Sequence, residues 1–119
     1  MIDISKLSDQ TIKKLKSSGW YENRRVDISE LVVLYTKAGF SLPQKVFDFM
    51  SEFSGLEILD KHNFCLFDFN VESTLSYLSK KDFDRRGDEL LLPVFPIGHA
   101  EMDNLLLDQN GRMFSMDRD

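Results

Sequence analysis

With 119 residues, 42% of them hydrophobic and 12% aromatic, the chain forms one packed domain and is too apolar to be disordered. A net charge of −5, from 15 Lys+Arg against 20 Asp+Glu, disfavours direct nucleic-acid binding, which needs a basic face. The single Cys65 excludes an intramolecular disulfide and fits a reducing compartment.

The first predicted helix runs from Ser8 to Gly19. Ser8 supplies an N-cap, Asp9 and the lysines complement the two helix ends, and Gly19 takes the left-handed closing position. Trp20 to Val26 is an aromatic and basic connection. There Trp20 with Arg24 and Arg25 forms a cation–π cluster that either anchors a partner or, the favoured reading, packs helix one against helix two. Asp27-Ile28-Ser29-Glu30 fits a capping box that opens a second helix to about Ala38, stopped by Gly39. Ile28, Leu31, Val32 and Tyr35 are spaced as its core-facing stripe. A third helix follows Ser41-Leu42-Pro43, with Ser41 as a cap, Pro43 in the first turn and Val46, Phe49, Met50 and Phe53 as its buried stripe, and ends at Gly55.

After Gly55 the apolar period changes from 3.6 to 2, the period of a strand. Leu56 to Leu59 and Phe64 to Phe69 read as two strands joined by a polar turn at residues 60–63. Residues 71–89 are ambiguous, with Val71, Leu75 and Leu78 at helical spacing and a charged stretch from Lys80 to Glu89 that reads as a solvated face. Leu90 to Gly98 is an apolar strand that Pro93 and Pro96 force to an edge, bulge or bend. Residues 104–108 and 112–116 then flank Gln109-Asn110-Gly111, a hairpin signal. The order predicts an α+β domain, N-terminal helices packed on a mainly antiparallel sheet.

No catalytic constellation emerges. His62 and His99 lie in separate predicted turns; His62 and Cys65 would point to opposite faces of a strand, so Cys65 reads as a buried structural cysteine and not as a metal ligand. The phenylalanines Phe47, Phe49, Phe53, Phe64, Phe67 and Phe69 read as core, with Phe47 the one candidate for exposure. No catalytic residue, metal or cofactor is expected. With no apolar run near the roughly 20 residues that cross a bilayer, and no signal pattern at Met1 to Lys6, a cytoplasmic location is expected.

Taken as an ordered set, several landmarks carry a family resemblance. They are Gly19-Trp20-Tyr21, Arg24-Arg25-Val26-Asp27, Gly39-Phe40 with Leu42-Pro43, Phe49 to Leu56, Leu92 to Gly98 and Leu107 to Phe114. This order resembles the third subgroup of the SUKH superfamily, the Smi/Knr-like immunity proteins of bacterial polymorphic toxin systems, over about residues 15 to 116. The resemblance implies helices packed on an antiparallel sheet, and an immunity protein that binds and stoichiometrically blocks a cognate secreted toxin, often a nuclease. Trp20, Arg24, Gly39, Phe53, Gly55, Pro96, Gly98, Asp108 and Gly111 are expected as structural landmarks and not as the binding face. Two departures stand out: Ser54-Gly55 replaces a frequent Gly-Gly, and relatives continue past the last hairpin into a C-terminal helix where this chain stops at Asp119. The expectation is one immunity domain over 1–119, short of that helix.

The charge distribution suggests where a partner would dock. Residues 1–45 hold eight Lys/Arg against five Asp/Glu, and residues 46–119 hold seven against fifteen, so the halves carry +3 and −8. Nuclease toxins need basic clefts, which a carboxylate surface could occupy. The expected partner contacts are Asp48, Glu52, Asp60, Asp68, Glu72, Asp82, Asp84, Glu101 and Asp103, with Asp48 and Glu52 on one face of the third helix. The alternative is an adaptor of the same fold that binds an unrelated cellular protein.

Overall fold

Three short helices open the chain, each closed by a glycine at Gly19, Gly39 and Gly55. The structure, a computed structural model, describes residues 8–59, 62, 64–77, 93–100 and 103–117. These contain α1 (Asp9–Ser17), α2 (Ser29–Lys37), α3 (Gln44–Phe53), β1 (Glu57–Leu59), β2 (Cys65–Asp68), α4 (Glu72–Tyr77), β3 (Val94–Ala100), β4 (Asp103–Asp108) and β5 (Met113–Asp117). The five strands form one antiparallel sheet in sequence order, so the chain is an α+β fold as expected. Residues 78–92, with the charged stretch and the first part of the proline-containing run, fall outside the described residues.

The helix caps are partly as expected. The Ser8 side chain accepts from the Thr11 N–H at 3.1 Å. Asp27 does not complete a capping box; its carboxylate accepts from the backbone N–H of Ser29 at 2.9 Å and from the Ser29 hydroxyl, an Asx turn that sets up α2. Ser41 does not cap α3, because Pro43 itself occupies the cap position in extended conformation. α2 buries Leu31 and Tyr35, with Ile28 buried just before it, and α3 buries Val46, Met50 and Phe53. Together with Trp20, Phe69 and the apolar residues of β3 and β4 they form one core.

Pro96 lies in the middle strand, which sequence alone would forbid without a bulge. The bulge is present: pairing with β4 shifts register between Pro96 and Gly98. β3 meets β2 at a single register pair, Asp68 with His99. Along the stretch before that pair, the Pro96 carbonyl accepts a hydrogen bond from the buried Tyr35 hydroxyl of α2. Burial pushes the Tyr35 pKa up, so the hydroxyl stays protonated and keeps donating. Gly98 permits the β2–β3 approach, since at its φ of +155° a Cβ would lie 2.1 Å from the Asp68 carbonyl oxygen.

Candidate functional site

Two hollows lie on either side of the Phe49 and Phe53 rings of α3. One is an apolar trough of about 560 Å³ between α1, α3, β1, β2 and the start of β5. The other, of about 470 Å³, lies between α3 and the β4–β5 turn and is lined by Lys45, Asp48, Glu52, Leu107, Asn110 and Gly111, with the same two rings.

The second hollow holds two of the expected partner contacts, Asp48 and Glu52, on one face of α3 as their spacing predicts. Asp48 is half-buried; it accepts from the Gln44 amide at 2.8 Å and lies 3.7 Å from the Arg25 guanidinium. Glu52 does not project as expected. It is 3% exposed, and its carboxylate accepts the Trp20 indole N–H at 2.9 Å. The connection after α1 docks on this end of α3 throughout: Arg24 donates to the Glu52 carbonyl and, at 3.0 Å, to the Ser54 carbonyl, while Val26 N–H reaches the Ser51 carbonyl at 2.8 Å. Trp20 and Arg24 thus pack the connection onto helix three, where carbonyls at a helix end need donors.

The β4–β5 turn beside this hollow is held by Asp108. Its buried carboxylate accepts from the N–H groups of Asn110 and Arg112 at 2.9 and 2.8 Å and from Arg112 Nε at 2.9 Å. Burial would raise its pKa, but these donors and the Arg112 charge outweigh it and hold the group below the ordinary carboxylate value. Residues 109–112 join β4 to β5, with Gly111 at φ +87°; the Asp108 N–H donates to the Arg112 carbonyl at 2.9 Å and closes the hairpin around Gln109-Asn110-Gly111, as the sequence predicts.

The other expected contacts do not line this hollow. Asp68 is half-buried and its Oδ1 accepts from the Asn70 N–H and amide at 2.9 and 2.7 Å. Glu72 opens α4 and is exposed; Asp103 opens β4, roughly 13 Å of strand away from Leu107 at the second hollow. Asp60, Asp82, Asp84 and Glu101 lie outside the described residues. Asp48 and Glu52 lie on α3, whereas Asp68 and Asp103 lie at one end of the sheet, where His99 pairs with both Asp68 and Asn104.

The aromatic expectation is corrected in two places. Phe47 is exposed as expected, but Phe64 is 70% and Phe67 38% exposed. Cys65 is exposed where the sequence predicts a buried cysteine, and its thiol pKa is raised by partial desolvation of the sulfur and then by the Asp68 and Glu57 carboxylates, which opposes use as a nucleophile. Cys65 and Phe67 share one side of a short strand that meets β3 at one residue pair, a pairing the local sequence does not signal.

Among the described residues no group of three or more His, Cys, Asp or Glu could hold a metal ion, and no helix is long and apolar enough to cross a membrane. His99 has a contact of 3.3 Å between Nε2 and the Thr74 hydroxyl, inside the fold.

Comparison with curated proteins and with solved structures finds no match. A family model does match, over residues 7–119, and its description is SUKH-3 immunity protein. With Trp20, Arg24, Gly55, Pro96, Gly98, Asp108 and Gly111 each holding a helix end, a strand crossing or a hairpin, and with the match covering nearly the whole sequence, the chain belongs to the SUKH-3 immunity protein family.

Proposed function

We propose that this protein binds one cognate secreted toxin inside the producing cell and blocks it stoichiometrically, with no catalysis of its own. The observation that carries this reading is family membership across residues 7–119. The fold is consistent with a docking scaffold: glycines, a bulged strand and a carboxylate-held hairpin fix its surface before any partner arrives, which lowers the ordering cost of association.

A nuclease is the toxin class that suits the charge. The residues after 45 carry a net −8, a field that attracts a basic phosphate-binding cleft and speeds encounter with it. Glu52 is removed from the contact set by its burial, leaving Asp48, Asp68, Glu72 and Asp103 among the described acids.

Co-expression with the polymorphic toxin encoded beside its gene tests the reading. Restored growth and a recovered one-to-one complex are expected; persistent toxicity with both proteins soluble would overturn it.

A further inference from the structure

The apolar trough is a large open concavity among the described residues, walled by α1, β1, β2 and β5 around the Phe49 and Phe53 rings. Its floor is a run of rings. Phe49 lies 4.8 Å from Phe53 and 5.4 Å from Phe69, and Phe67 stacks on Phe69 at 6.4 Å with 6° between planes. Phe67, at 38% exposure, and Met113, at 45%, both line the trough and face water. Its volume of about 560 Å³ falls in the span of ligand-sized hollows, roughly 300–1,000 Å³. Rings already held in place by stacking lose little freedom when a partner side chain enters, the condition under which an apolar contact gives most affinity.

Charge around the trough decides what enters. Lys14 is the one charged residue that lines it, beside Gln10 and Thr11, and the exposed Lys13 and Lys16 lie on the same short helix. Lys45 stands over the adjoining hollow beyond the shared Phe49 and Phe53 rings. The two carboxylates of that second hollow are engaged within the fold, Asp48 by Arg25 and Gln44 and Glu52 by Trp20. Asp9 opens the same helix, and Glu57 and Asp68 neighbour the lining residues Ile58 and Phe67, so Lys14 is the single charge that lines the trough itself.

We propose that this trough receives an apolar segment of the toxin flanked by acidic residues: one or two aromatic or aliphatic side chains lie on Phe67 and Phe69, and a neighbouring carboxylate meets Lys14. The proposal rests on the immunity reading above and names a contact separate from any acidic surface set against a basic cleft. A basic segment would be repelled by Lys14.

The test measures binding to the toxin encoded beside the gene, and uptake of anilinonaphthalene sulfonate, an apolar anionic dye, for wild type, Phe67→Ser, Lys14→Glu and Phe64→Ser. Each variant is checked by thermal unfolding; Lys14 and Phe64 are exposed, so their replacement spares the core. Expected are dye uptake by the wild type that toxin displaces, a loss of toxin affinity of about tenfold or more for Phe67→Ser, and a several-fold slower on-rate of the order seen for rim charges for Lys14→Glu. Phe64→Ser, outside the trough, leaves both readouts unchanged. Equal toxin binding by all four proteins would overturn the proposal while the immunity reading stood. Failure of the wild type to bind or protect would remove that reading and the proposal with it. No dye uptake by the wild type would mean that the chain itself fills the trough, and a wild-type dimer dissociated by Phe67→Ser would mean that a second copy does; either result overturns the proposal.

Discussion

The Trp20 indole N–H and the Glu52 carboxylate meet at 2.9 Å inside the protein, joining the connection after α1 to the last turn of α3. Both side chains are almost fully buried, so neither can exchange the bond for water. Trp20→Phe keeps most of the ring but removes the donor. We expect it to cost about 1–3 kcal/mol, the range for depriving a buried polar group of a partner, read as a lower denaturant midpoint with unchanged slope. Glu52→Lys, a charge reversal at a nominal partner contact, should lower stability and leave the toxin on-rate of the folded fraction unaltered.

Gly98→Ala tests the crossing of β2 and β3. A methyl there meets backbone, the Asp68 carbonyl at 2.1 Å and Phe69 Cα at 2.9 Å, and no side-chain rotation relieves it. The expected loss is about 3 kcal/mol or more, combining overpacking with an unfavourable φ. Melting temperature and protein yield report it; an Ala variant as stable as wild type would contradict the close approach.

Asp108 gives the fold an acid-sensitive hinge. Its pKa is lower folded than the unfolded value of about 3.9, so its stabilisation is complete above that pH and disappears as the pH falls through the folded value. The Arg112 side chain is mostly exposed, so the ion pair itself is worth at most about 1 kcal/mol, and the turn N–H groups matter more. Asp108→Ala should therefore cost about 1–3 kcal/mol and flatten the acid limb of the stability profile, whereas Arg112→Ala costs less. Chemical denaturation from pH 7 down to pH 3 separates the two.

Cys65 is exposed, yet its thiol is held above its ordinary pKa. Partial desolvation of the sulfur, followed by the Asp68 and Glu57 carboxylates, raises it. Alkylation by iodoacetamide at pH 7 should run more slowly than for free cysteine, and Glu57→Gln should accelerate it, because removing a nearby negative charge eases thiolate formation.

Local signals in the sequence foretold much of this fold. The Ser8 cap, the glycines after the helices, the period change after Gly55 and the proline-bent strand each express short-range backbone chemistry, and each has its counterpart in the structure. The site was less legible, for a physical reason. Glu52 reads as a surface acid by type and by its spacing from Asp48, but its burial depends on Trp20, 32 residues earlier in the chain. Phe67 reads as core because it is aromatic on a strand, yet β2 parts from β3 after one register pair and leaves the ring at the lip of a trough. Long-range pairing, invisible to periodicity, decided both.

The most direct test of the account is titration of the toxin's activity with the purified protein. The account predicts a linear fall to zero with a break at one molecule per toxin, unaffected by preincubation time once binding is complete. Toxin activity that persists at a large molar excess would contradict it, as would loss at far below one equivalent, which would indicate turnover and hence an enzyme.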